Sequence, residues 1–120
     1  MKGMEYRSDV ADVDSDLLRN PERLSKICEG AAKASGAEVI KSYWVSDAGT
    51  LVLTISLKKG GSISLQAFIE EGLLILNILA CDSEVDSFHA MDGILTAVGG
   101  RLTFRDSAGR FRDLSDREGW

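Results

Sequence analysis

Gly60-Gly61-Ser62-Ile63-Ser64-Leu65-Gln66-Ala67-Phe68-Ile69-Glu70-Glu71-Gly72-Leu73-Leu74-Ile75-Leu76-Asn77-Ile78-Leu79-Ala80-Cys81 decides how the chain folds. Ser62 to Ile69 alternates polar and apolar residues, the period of a half-buried strand. Glu70-Glu71-Gly72 is a tight turn, and Leu73 to Cys81 is a second strand. That second strand is apolar on both faces: Leu74, Leu76, Ile78 and Ala80 oppose Leu73, Ile75, Leu79 and Cys81. A strand of this kind must be covered on both sides. Only two clear helical patterns exist elsewhere in the chain, enough to cover one side. The other side is therefore expected to pack on the sheet of a second subunit.

Reading outward, Lys58-Lys59-Gly60-Gly61 makes a turn back to Thr50–Leu57, where Leu51, Leu53, Ile55 and Leu57 share one face. Ser46-Asp47-Ala48-Gly49 joins that strand to another over Glu38–Val45. Upstream, Asn20-Pro21-Glu22 is a helix start, and Leu24, Ile27, Cys28, Ala31 and Ala32 form its apolar stripe until Gly36. Tyr6 to Asp12 alternates weakly and reads as a first, edge strand. Downstream, Val85 to Val98 is a helix with Val85, Phe88, Met91, Leu95 and Val98 inward, stopped by Gly99-Gly100. Arg101–Arg105 is a short last strand. The expected fold is α+β: a two-layer sandwich, an antiparallel sheet with two helices on one face. Two protomers stacked sheet to sheet would give a four-layer αββα assembly. Residues 1–105 form the domain and 106–120 a polar C-terminal tail.

The chain has 120 residues, 44% of them hydrophobic, with a single proline. That length and composition specify one globular domain with a real core. Its formal charge is −5, and its basic residues are scattered with no stripe, which argues against nucleic acid as a partner. No apolar run is long enough to cross a bilayer, and the polar opening Met1-Lys2-Gly3-Met4-Glu5 leads us to expect no signal peptide. Cys28 and Cys81 lie in different pattern contexts, as expected for free thiols in the cytoplasm.

Most chemical motifs fail on their own terms. Asp9, Asp12, Asp14 and Asp16 are spaced like a calcium loop, but Leu17 and Arg23 stand where that loop needs a glycine and an acid. The single histidine, His89, has no cysteine or second histidine near it in sequence, so no metal is expected. Gly60 and Gly61 lack the Gly-Lys-Ser pattern and following helix of a phosphate loop. Cys28 sits on the apolar helical stripe as a small core residue.

The quoted stretch resembles the core of prokaryotic S-adenosylmethionine decarboxylases, where Glu-Ser-His-Ile-Ser-Ile-His-Thr opens one strand and Thr-Cys-Gly closes the next. The resemblance extends upstream to Ala31-Ala32-Lys33-Ala34-Ser35-Gly36-Ala37-Glu38-Val39, which is similar to the family's Glu-Ala-Ala-Lys-Ala-Ser-Gly-Ala-Thr-Val. It implies a protein that cuts itself at the Glu-Ser bond and converts the serine to a pyruvoyl group, an electron sink for decarboxylation. A histidine and a hydroxyl residue assist the cut, an aromatic stacks on adenine, and a cysteine protonates the product. In this chain the serine aligns with Gly61, the histidine with Gln66, the hydroxyl residue with Leu53 and the aromatic with Asp47. Only the cysteine is matched, by Cys81, whose neighbour Asp82 replaces a glycine; Asn77 replaces an aspartate.

Glycine carries no nucleophile, and glutamine moves no proton near neutral pH. The resemblance with these departures implies a non-processing, inactive homologue, without cofactor, acting as a regulatory partner or a small-molecule binder. Such a chain would form a homodimer or a heterodimer with an active paralogue, and Trp44, Phe68 and Asn77 are candidates for lining a pocket. One alternative is an active enzyme cut at Gly61–Ser62, its pyruvoyl derived from Ser62, serving spermidine synthesis. A one-residue shift, however, turns Ser62 to the other face of the strand from Gly61. Another is a homodimeric ligand sensor unrelated to polyamines.

Overall fold

The computed structural model describes residues 3–82 and 84–110. Six strands form one antiparallel sheet: β1 (Gly3–Ala11), β2 (Val39–Asp47), β3 (Thr50–Leu57), β4 (Ser62–Phe68), β5 (Leu73–Ala80) and β6 (Arg101–Arg110). Their order across the sheet is β2-β3-β4-β5-β1-β6. Helices α2 (Pro21–Ala34) and α3 (Ser87–Val98) lie on one face, and a single-turn helix α1 (Ser15–Leu18) precedes α2. This is the expected α+β arrangement with one short helix more.

Local chemistry explains where the helices begin. Asn20 accepts the Arg23 N–H at 3.1 Å, with Pro21 at the first helical position. Asp86 accepts the His89 N–H at 3.0 Å and so starts α3 at Ser87, two residues later than its apolar pattern implied. The acidic stretch that resembled a calcium loop is a cap: Asp14 accepts the Asp16 N–H at 3.0 Å. Among the described residues no cluster of three or more potential metal ligands occurs. No helix of the described residues is long and apolar enough to cross a membrane.

The core lies between the helices and the sheet. Leu24, Cys28 and Ala32 of α2 and Met91, Ile94 and Val98 of α3 are buried against Leu51, Leu53, Ile55, Ile63, Leu65, Leu74, Leu76 and Ile78. Period-2 alternation therefore gives the buried faces of β3, β4 and β5 correctly. Burial holds the Cys28 thiol far above its ordinary range, at about 12, which leaves it a protonated packing group.

Three expectations fail. The first strand is not an edge: β1 pairs with β5 on one side and β6 on the other. Its Glu5, Arg7 and Asp9 look like edge charges but occupy the sheet face that no helix covers, while Ser8 and Val10 are buried under the helices. The last strand runs to Arg110, past position 105, so 106–110 of the expected tail belong to the sheet, and 111–120 lie outside the described residues. In α3, Phe88 points outward and is 48% exposed. Its ring meets Tyr6 edge-on at 6.1 Å and the Arg105 guanidinium at 4.6 Å, so a rim contact replaces core burial. The turn into β6 depends on Gly100, whose φ is +80° and where a Cβ would lie 2.6 Å from the Ala11 carbonyl oxygen.

Candidate functional site

The residues singled out by sequence do not converge on one site, and two sets stand out. The first set surrounds the Gly60–Gly61 peptide. A 3-10 turn over Lys58–Gly60, with Lys59 and Gly60 at positive φ, delivers Gly61 to the start of β4. There Gly61 is buried and extended, at φ −82° and ψ 167°, and its carbonyl accepts the Leu57 N–H at 2.8 Å. A Cβ at this position would lie 2.9 Å from the Leu79 carbonyl oxygen and 3.4 Å from a Leu57 methyl. Backbone on a neighbouring strand cannot swing aside like a side chain, so position 61 is shaped for glycine.

Cys81 lies beside the same peptide. Its Sγ donates to the Gly60 carbonyl oxygen at 3.7 Å, a weak contact from a half-buried thiol. The next residue, Asp82, closes over the turn by an ion pair with Lys59 at 3.5 Å. Its carboxyl is held below its ordinary range chiefly by the Glu84 N–H at 3.0 Å; desolvation opposes this, and Lys59 adds smaller contributions in the lowering direction. The pair ties the end of β5 to the β3–β4 turn.

The second set occupies the face of the sheet that no helix covers. Directly opposed residues share a face, and the register gives three rows there. Ser56, Ser62, Leu79 and Glu5 form one; Tyr43, Thr54, Ser64, Asn77, Arg7 and Asp106 form the next; Val45, Val52, Gln66, Ile75 and Asp9 form the third. Gln66 and Asn77 are thus in adjacent rows, and Ser62 is on their side of the sheet. Gly61 is on the other. Leu53 is fully buried under the helices, opposite Leu65, and so is brought neither to Gln66 nor to Gly61. Trp44 is opposite Leu53 and faces the helix side at the sheet's edge, whereas Phe68 is opposite Leu73 on the uncovered face. The three residues considered as pocket lining are therefore not assembled into one pocket. Asp47 ends β2, exposed, its carbonyl accepting the Thr50 hydroxyl at 2.6 Å.

The hydroxyl groups of Thr54 and Ser64, beside Asn77 in the middle row, are not among the candidates that the sequence offers. Counting back by two from Gln66 gives Ser64, and pairing across the Lys58–Gly60 turn gives Thr54, so the signal was present. His89 is exposed on α3 and stands apart from both sets.

Comparison with known proteins decides the relationship. The family pattern described as S-adenosylmethionine decarboxylase matches residues 5–106. The chain belongs to the S-adenosylmethionine decarboxylase family. It is 29% identical over 93 residues to an S-adenosylmethionine decarboxylase proenzyme of Thermococcus gammatolerans, covering 78% of this chain and 65% of that protein. The chain thus spans just under two thirds of that relative's length. A proenzyme of the same name from Symbiobacterium thermophilum is 25% identical over 117 residues, 94% of this chain and 89% of that one. In fold, the crystal structure of the adenosylmethionine decarboxylase from Aquifex aeolicus superposes with a TM-score of 0.74, covering 90% of this chain and 88% of that chain at 24% identity. The family's pyruvoyl group arises from a serine by self-processing. Position 61 does not fit it: the residue has no hydroxyl, and the Leu79 carbonyl fills the space a side chain would need.

Proposed function

We propose that this chain is a non-processing, catalytically inactive member of the S-adenosylmethionine decarboxylase family that serves as a regulatory partner or small-molecule binder. The observation that carries the reading is Gly61. Self-cleavage needs a hydroxyl positioned to attack the carbonyl before it, and here the Gly60 carbonyl is followed by hydrogen alone. Gln66 supplies no proton shuttle. Without a carbonyl cofactor to hold a substrate amine, Cys81 has no carbanion to protonate, and its contact with Gly60 is structural. Free Cys28 and Cys81 fit a cytoplasmic protein.

A second reading rests on one observation. The Gly61 carbonyl already accepts the Leu57 N–H at 2.8 Å, the kind of donor that stabilises an oxyanion when a neighbouring hydroxyl attacks. Attack by Ser62 on that carbonyl would make an active decarboxylase with a pyruvoyl at residue 62. Incubation with carboxyl-labelled S-adenosylmethionine separates the two. No labelled carbon dioxide is expected; sustained release proportional to protein would establish the second reading.

The uncovered sheet face supports a pairing of subunits. Val52, Leu73, Ile75 and Phe104 are each more than two-fifths exposed there or at that threshold, with Phe68 and Leu79 half-buried beside them. An apolar patch of this extent is normally covered. The occupant is a second sheet, from an identical subunit or from an active paralogue. Ile75→Lys is expected to abolish this stacking, since it would bury an unpaired charge at the centre of the interface. Light scattering checks it: the variant should lose at least half the mass of the parent particle, and an unaltered mass contradicts sheet stacking.

A further inference from the structure

The two edges of the sheet are unlike. β6 carries Arg101, Arg105 and Asp106, which pair with Asp12, Asp92 and Arg7 at 3.0, 3.2 and 3.7 Å. Charges of this kind keep an edge strand from pairing with other chains. β2 has little such protection. It contains no proline, and Ile40, Tyr43, Trp44 and Val45 are 65%, 49%, 39% and 65% exposed. Lys41 and Asp47 are the only charged side chains between its ends.

The backbone of β2 fixes how another strand could join it. Ala48 and Gly49, at φ +46° and +83°, form the two-residue turn into β3, so Asp47 and Thr50 are the pair that exchanges hydrogen bonds at its base. Alternation along the ladder makes Val45–Val52 and Tyr43–Thr54 hydrogen-bonded pairs as well. Ser42, Trp44 and Ser46 therefore direct their N–H and C=O groups away from β3, toward the bare edge. The register shifts between Val39 and Lys41, so the regular ladder covers 41–47, and its midpoint is Trp44.

We propose that the β2 edge is an isologous interface, in which a second copy of this chain adds its own β2 antiparallel about a two-fold axis at Trp44. In that register Trp44 faces Trp44 of the other copy and Ser42 faces Ser46, and these residues exchange main-chain hydrogen bonds. Tyr43 faces Val45, an aromatic–branched pair that suits a strand interface. Lys41 faces Asp47, and symmetry makes this ion pair twice. Slipping by two residues destroys the match: Lys41 then meets Val45, and Asp47 meets Val39. The self-complementarity thus belongs to one register, the one centred on the regular part of the strand. The result is a continuous sheet of both copies, with the helices of both on the same side. It leaves the uncovered face free and is independent of sheet stacking, with which it would combine into a tetramer.

A charge-swap cycle on the full chain tests the register. Lys41→Asp places Asp against Asp twice, and Asp47→Lys places Lys against Lys twice. Each is expected to raise the dissociation constant of the edge contact by about tenfold, halving the particle mass measured by light scattering at micromolar concentration. The double variant Lys41→Asp/Asp47→Lys restores the pairs with reversed polarity and should restore the parent mass. Positions 41 and 47 are too far apart along one strand to compensate within a chain, so recovery reports contact between copies. Circular dichroism of each variant separates loss of assembly from loss of fold. Parent-like mass in both single variants overturns the proposal, and so does a double variant that stays dissociated while folded.

Discussion

Leu53→Ser is expected to destabilise the protein by about 4 kcal/mol, nearly the whole stability of a domain at the lower end of the usual range. The substitution restores a hydroxyl at the position the family resemblance aligns with one, so a reader of sequence alone would expect it to be benign. Leu53, on β3, is fully buried in the core between the sheet and the helices, opposite Leu65. Its removal leaves a cavity, and the new hydroxyl finds no partner among leucines and isoleucines. Urea denaturation followed by circular dichroism measures the change. A loss below about 1 kcal/mol would show that position 53 is not packed as described.

Gly61→Ser is the second large effect, and it separates two accounts of the missing nucleophile. If glycine were merely a substitution at an otherwise working site, restoring serine would start self-cleavage. The Leu79 carbonyl oxygen lies 2.9 Å from where the new Cβ must go, so the strands must part or the side chain must strain. The expected variant is intact and less stable by roughly 2 kcal/mol, as for other overpacked sites. Denaturing mass spectrometry and thermal melting check both halves. Cleavage at 60–61 in this single variant would mean that the site is poised and that Gly61 alone blocks it.

Much of this architecture is legible in the chain because burial imposes its period on the sequence. Leu51, Leu53, Ile55 and Leu57 in one strand and Leu74, Leu76, Ile78 and Ala80 in another name the helix-facing side without ambiguity. Asn20-Pro21 fixes the start of α2 for a reason internal to a few residues. β1 was misread because strand order is a long-range property. Glu5, Arg7 and Asp9 occupy an uncovered face, and a charged face looks the same in sequence whether the strand is central or at an edge. Phe88 was misplaced for a related reason: Tyr6 and Arg105, which hold it at the rim, are far away in the chain.

The site was less legible than the fold. Alignment by resemblance located Gly61, Gln66, Leu53 and Cys81 along the chain, but proximity depends on which face each occupies. One residue of phase puts Gly61 beneath the sheet and Ser62 above it. The crowding at position 61 arises from Leu79 on a neighbouring strand, which no local pattern announces. Pairing of Asp82 with Lys59 likewise joins residues from separate turns.

The intact mass of the purified protein, measured under denaturing conditions after prolonged incubation, tests the central claim most directly. The account predicts a single species at 13.0 kDa, the mass of the unbroken chain. Two fragments meeting at Gly61 and Ser62, the second beginning with a pyruvoyl group, would contradict it.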